Sequence, residues 1–141
     1  MNLERKPNET YLGLIQGIIT RMATNSFMIK GWSLTVIVAL IAFASSINPS
    51  TDDLQVLILI SISTVIIFFY MDAYFFYQEN LYRDLYNEAI LKEFPDIKLF
   101  NLKIETNDDV ICKTIFYLFK PAVFPLYIFQ LTLILISFFL L

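Results

Sequence analysis

The sequence predicts an all-α integral membrane protein, with an amphipathic N-terminal helix and three transmembrane helices, the second of which extends into the cytoplasm. Three observations predict this. Of the 141 residues, 57% are hydrophobic and 16% aromatic, with fourteen Phe and eight Tyr against three Gly, more apolar than a soluble domain of this length. Long runs carry almost no charge: Phe27 to Ile47 holds only Lys30, Leu54 to Phe69 holds none, and Ala122 to Leu141 holds none. The cations are placed on one side of these runs, as described below.

The first element is an amphipathic helix over 8–25. Tyr11, Ile15, Ile18 and Met22 recur at helical spacing, with Leu12 and Ile19 beside them and Gln16, Thr20 and Arg21 elsewhere on the wheel. It is too polar to span, and the same stripe suits a membrane interface or a partner helix. The runs from Phe27 to Ile47 and from Leu54 through Tyr77 are each long enough to cross about 30 Å of hydrocarbon. Pro49 stops the first, Ser50 or Thr51 caps the second, and Asp52 and Asp53 complement its N-terminal dipole. A tight antiparallel hairpin follows.

Beyond Tyr77 the helix continues, because Leu81, Leu85 and Ala89 with Tyr82 and Tyr86 keep helical spacing, while Arg83, Asp84, Glu88 and Lys92 form a solvated face. Pro95 ends it. Residues Ile97 to Glu105 alternate in part and suggest a short strand, and Thr106 or Asn107, followed by Asp108 and Asp109, offers a helix start for Val110 to Phe119. Pro121 and Pro125 then interrupt the chain before the third span. The expected segments are thus 1–25 interfacial or cytoplasmic, 26–80 a transmembrane hairpin, 81–120 cytoplasmic and 121–141 the last span.

Orientation follows from the ten Lys and Arg residues. Arg5, Lys6, Arg21 and Lys30 precede the hairpin turn, Arg83, Lys92, Lys98, Lys103, Lys113 and Lys120 follow the second span, and the turn has none. By the positive-inside rule the N-terminus and middle segment are cytoplasmic, in an inner membrane, and the turn and C-terminus face outward.

Several residues are candidates for recognition or gating. Lys30 and Asp72 lie at similar distances from the turn along the two strands of the hairpin, so they arrive at similar depth and are expected to pair, as a fixing salt bridge at the membrane edge or as a gating pair. Glu79, seven residues after Asp72, with Arg83 at i+4 and Arg21 on the leading helix, suggests a cytoplasmic polar cluster or plain solvated charge. Thr35, Ala39, Ala42 and Ser46 form a small-residue face for close packing with the second span or another subunit. Gln130 and Ser137, seven apart, are expected to turn from lipid toward protein. Gly13 and Gly17 form a G-x-x-x-G on the non-spanning helix.

No catalytic constellation is legible. The chain has no His and a single cysteine, Cys112, which excludes an internal disulfide and a multi-thiolate metal site; Cys112 reads as a small apolar filler or an S-acylation site. Without a phosphate-binding glycine loop, a nucleophile elbow or a basic patch, neither an enzyme, a cofactor nor nucleic acid is expected.

The stretch Arg21-Met22-Ala23-Thr24-Asn25-Ser26-Phe27, continuing to Lys30-Gly31-Trp32, with Asp72-Ala73-Tyr74 and Gln78-Glu79-Asn80-Leu81-Tyr82-Arg83, resembles a group of small bacterial multi-span membrane proteins. In layout the chain is also similar to the SLATT class of two-span effectors, from which its third span departs. That resemblance implies membrane perturbation in a bacterial conflict or defence system; the small-residue face, the membrane-edge charges and the large share of apolar chain add the lipid bilayer and further copies of the chain as expected partners. The alternative is a non-conducting anchor or accessory subunit for a cytosolic protein, docked through the Leu81 to Phe119 region.

Overall fold

The computed structural model describes residues 5–47, 49–91, 102 and 109–140, with side chains described from Glu9 onward. Every regular element among them is helical: α1 (Arg5–Ile47), α2 (Thr51–Leu91), α3 (Val110–Leu118) and α4 (Phe124–Leu140). The suggested strand over Ile97 to Glu105 and the cap at Thr106 or Asn107 lie outside the described residues, apart from Leu102, which is in no regular element.

The expected amphipathic helix and first span form one element of 43 residues, about 65 Å long at 1.5 Å per residue. The reason is local. Nothing between Asn25 and Phe27 breaks a helix, and the hydroxyls on either side bond back into it: Thr24 Oγ1 donates to the Thr20 carbonyl at 2.8 Å and Thr35 Oγ1 to the Gly31 carbonyl at 2.9 Å. These residues satisfy themselves without opening the backbone.

At the hairpin turn, Ser50 is the cap that α2 uses. Its hydroxyl accepts from the Asp53 amide at 3.3 Å, and the Asp53 carboxylate accepts from the Ser50 amide at 3.3 Å and from the Ser50 hydroxyl at 2.7 Å. This reciprocal box satisfies the free amides at the helix start and fixes the entry of α2.

α1 and α2 then run antiparallel and in contact along most of their length. The buried stripe of α1 passes through Tyr11, Ile15, Ile19, Ser26, Ile29, Ser33, Ile37 and Ala44, and that of α2 through Ser61, Val65, Asp72, Ala73, Tyr77, Glu79 and Ala89. Two apolar clusters result. In one, Tyr11, Ile15, Ile19 and Ala89 are packed by Leu12, Tyr82, Leu85 and Tyr86. The stripe of the leading helix is therefore covered by the far end of α2. In the other, Ile37, Val65 and Ala73 meet Val123, Tyr127 and Ile134 of α4.

α3 starts on Asp109, whose side chain accepts from the Ile111 amide at 3.1 Å. A tight turn over 119–123 joins it to α4, held by the Val123 and Phe124 amides on the Lys120 carbonyl at 2.9 and 3.2 Å. Pro121 sits in that turn and Pro125 in the first turn of α4, where its missing N–H leaves no helical bond unmade. α4 descends along α2 toward the hairpin turn, burying the face Val123, Tyr127, Gln130 and Ile134. Gly13 and Gly17 face open space, so the G-x-x-x-G mediates no close approach within the chain.

Ile15, fully buried against the end of α2, tests whether the leading part of α1 is bound to α2. Ile15→Ala is expected to cost about 2–4 kcal/mol by thermal or denaturant unfolding of the purified protein. A change under about 0.5 kcal/mol would mean that the leading helix is not packed there.

Candidate functional site

Between the two apolar clusters lies a buried polar node. Ser26 and Lys30 stand one helical turn apart on α1, and Asp72 faces them from α2. Lys30 Nζ donates to Asp72 Oδ1 at 2.6 Å and to Ser26 Oγ at 2.9 Å, and Ser26 Oγ donates to the same carboxylate oxygen at 2.5 Å. The Asp72 side chain is wholly enclosed, whereas that of Lys30 is 26% exposed. The lysine therefore reaches in from the rim along its aliphatic stem and delivers charge to a carboxylate that water does not reach. An isolated carboxylate in such a place costs several kcal/mol, and the ammonium and hydroxyl together offset that cost.

Tyr127 of α4 completes the node from the third side. Its hydroxyl donates to the Phe68 carbonyl at 3.2 Å and lies beside the Asp72 carboxylate. One phenolic proton serves one of these acceptors at a time, and with it on Phe68 the Asp72 Oδ2 atom has no hydrogen-bond partner among the described residues. The Tyr127 ring packs on Phe69 at 4.8 Å between centroids, which fixes the height of α4 on α2.

Deeper toward the hairpin turn is a second polar contact. Ser33, one turn beyond Lys30 on the same face of α1, donates to Gln130 Oε1 at 2.8 Å, and both residues are fully buried. Gln130 thus ties α4 to α1, as an amide among apolar helices requires, although its Nε2 finds no partner among the described residues. Ser137, seven residues on, is half-buried and borders an open apolar groove with Phe129, Leu133 and Ile136.

The remaining candidates are placed as follows. Glu79, nearly buried, accepts from Arg83 Nε at 2.8 Å and Nη2 at 2.7 Å. Arg21 is exposed and shares no ion pair with them among the described residues. The small-residue face Thr35, Ala39, Ala42 and Ser46 is exposed along its whole length. It does not pack on α2, because the stripe through Ser33, Ile37 and Ala44 occupies that contact. Of the two expected uses of this face, only contact outside the chain is left.

Above the node, Tyr117 of α3 packs its ring against Tyr77 at 5.3 Å and Phe76 at 5.7 Å. Burial, and secondarily the Asp84 charge, push its phenol above the ordinary tyrosine range. No three His, Cys, Asp or Glu side chains among the described residues come together as a metal site.

Ser26, Ser33 and Tyr127 were not singled out from the sequence. The two serines carried a signal, since positions 26, 30 and 33 share one helix face with the charged residue. Tyr127 carried one too, three residues before Gln130.

The Ser33–Gln130 bond predicts coupling between α1 and α4. Ser33→Ala and Gln130→Leu should each destabilise the fold, and a double-mutant cycle should return a coupling energy of about 1 kcal/mol. A coupling of zero would place the two side chains apart.

Scans of protein-family models, of curated proteins and of solved structures yield no match to this chain.

Proposed function

We propose that this chain is a three-span membrane protein that self-associates and opens or perturbs the bilayer, in the manner of the bacterial conflict-system effectors its layout resembles. The observation that carries this reading is an inversion of the usual burial. α1 and α2 are long and apolar enough to cross a membrane, yet only 22% and 11% of their most apolar windows are buried inside the chain. The core helix of a soluble protein is mostly buried, and surface such as Leu59, Ile66, Ile67 and Val56, 56–66% exposed, calls for lipid.

Counted from the hairpin turn, Lys30 lies about 18 residues back along α1 and Asp72 about 22 residues forward along α2, or about 27 and 33 Å, which suits a node at the cytoplasmic edge of a bilayer about 30 Å thick. α4, with 17 residues, covers about 25 Å beside them and ends near the turn, which makes a third crossing consistent with its length. Cations on the far side of the node set the N-terminus inside.

Self-association is supported by the outward ridge of Thr35, Ala39, Ala42 and Ser46. Thr35 and Ser46 bond to carbonyls of their own helix at 2.9 and 2.8 Å, so the ridge presents small, satisfied groups to a neighbour. Three helices packed side by side enclose no path, and conduction through this bundle would need several copies.

A second reading has its own observation. α1 and α2 continue together for about 28 Å beyond the node, and exposed Arg21, Arg83, Asp84 and Glu88 line this extension, a surface suited to holding a cytosolic protein without conduction.

Two measurements separate the readings. Induced expression is expected to collapse the membrane potential reported by a dye, with the purified protein forming a closed ring in nanodiscs. A monomer that leaves the potential intact and co-purifies with a stoichiometric cytosolic protein would overturn the effector reading in favour of the anchor.

A further inference from the structure

α3 turns two unlike faces to its surroundings. Thr114, Tyr117 and Leu118 face the bundle, with Thr114 fully enclosed and its hydroxyl spent on the Val110 carbonyl at 2.8 Å. The opposite arc carries Ile111, Cys112, Ile115, Phe116 and Phe119, and the large side chains among them are 48–75% exposed. Lys113, also exposed, flanks that arc beside Cys112 and Phe116, with Asp109 at its start. A nine-residue helix with an apolar outer face of this kind is not a water-facing surface helix, whose exposed side would be polar.

The position of this face along the bundle says what covers it. Tyr117 meets α2 at Phe76 and Tyr77, only about one turn beyond Asp72 and therefore about 6–8 Å past the node. Phe27 and Trp32 on α1, 77% and 61% exposed, and Tyr70 and Tyr74 on α2 lie within about two turns of the node, on either side of it. Lys120 closes the lower end of α3, its Nζ 4.9 Å from the centre of the Phe116 ring, a cation held beside an aromatic as at a headgroup boundary. Phe119 then leads through the turn into α4, on which Ile128, Phe129 and Leu135 are exposed.

We infer that the outer face of α3 is an interfacial lipid-binding surface, with Phe116, Phe119 and Ile115 among the headgroups and upper acyl chains of the cytoplasmic leaflet and Lys120 at the phosphate level. The occupant is lipid, not a cytosolic protein and not a second copy of the chain. This rests on the membrane reading above and sets α3 in the leaflet, where the sequence reading has 81–120 as a cytoplasmic segment. It also gives α3 a role: a wedge beside the last span that holds the height of the bundle in the leaflet.

The test places an environment-sensitive fluorophore on Phe116→Cys in a Cys112→Ser background, in the full chain reconstituted in vesicles containing anionic lipid. Two reference labels use the same background, at Leu59→Cys in mid-span and at Asn87→Cys on the exposed side of the α2 extension. At position 116 the expected result is strong quenching by lipids with a shallow nitroxide and several-fold weaker quenching by aqueous iodide than at position 87. Ready iodide quenching at position 116, or shielding from both quenchers as beneath protein, would overturn the inference. A label at position 59 that deep nitroxide lipids fail to quench would overturn the membrane reading and this inference with it. Quenching at 59 without lipid contact at 116 would remove the inference alone.

Discussion

A carboxylate taken wholly out of water must find its compensation within a few ångströms, and among the described residues the side chains that supply it bring two particular helices together at one height. Asp72 is enclosed on α2, and what reaches it is Ser26 and Lys30 of α1, both on the oxygen Oδ1. Apolar side chains tolerate sliding of one helix along another at modest cost. A buried charge does not, because a slip of one turn, about 5.4 Å, would leave it uncompensated. The register of the hairpin is therefore set by the node, and the capped turn at Ser50 and Asp53 agrees with it.

Much else depends on that register. With α1 and α2 fixed, the far ends meet as the Tyr11, Ile15, Ile19 and Ala89 cluster, so the leading part of α1 is covered by α2. The groove on the other side accepts α4, pinned by Tyr127 on Phe69 and Phe68 and by Gln130 on Ser33. Each of these contacts is polar or aromatic and directional, whereas the intervening residues are interchangeable aliphatic bulk. In a bundle whose outside is as apolar as its inside, directional contacts are what distinguish one packing from its rivals.

The sequence made the hairpin legible because its evidence was local: uncharged runs of defined length, a Pro-Ser-x-x-Asp turn, and a lysine and an aspartate at matched distances from that turn. Which face of a uniformly apolar helix packs inward is another matter. Thr35, Ala39, Ala42 and Ser46 had the small-residue spacing of a packing face, yet Ser33, Ile37 and Ala44 are the residues that pack, since the charged residue on their face had already selected it. The continuity of α1 was hidden for a related reason. A change of composition at Asn25 marks a change of surroundings, and a helix passes through such a change without breaking unless a Pro, a Gly or a competing side-chain bond stops it.

The central claim is that the Lys30–Asp72 pair holds the helices in register, and a double-mutant cycle with apolar replacements tests it most directly. Lys30→Met alone strands the enclosed carboxylate and is expected to cost about 3–5 kcal/mol of unfolding free energy in detergent or nanodiscs, while Asp72→Leu alone costs less, because the Lys30 ammonium, 26% exposed, can turn back to the rim. The Lys30→Met, Asp72→Leu double variant should recover most of that loss, since two matched apolar side chains need no compensation. A double variant as unstable as the two losses added together would contradict the account, because two residues that do not interact lose stability independently.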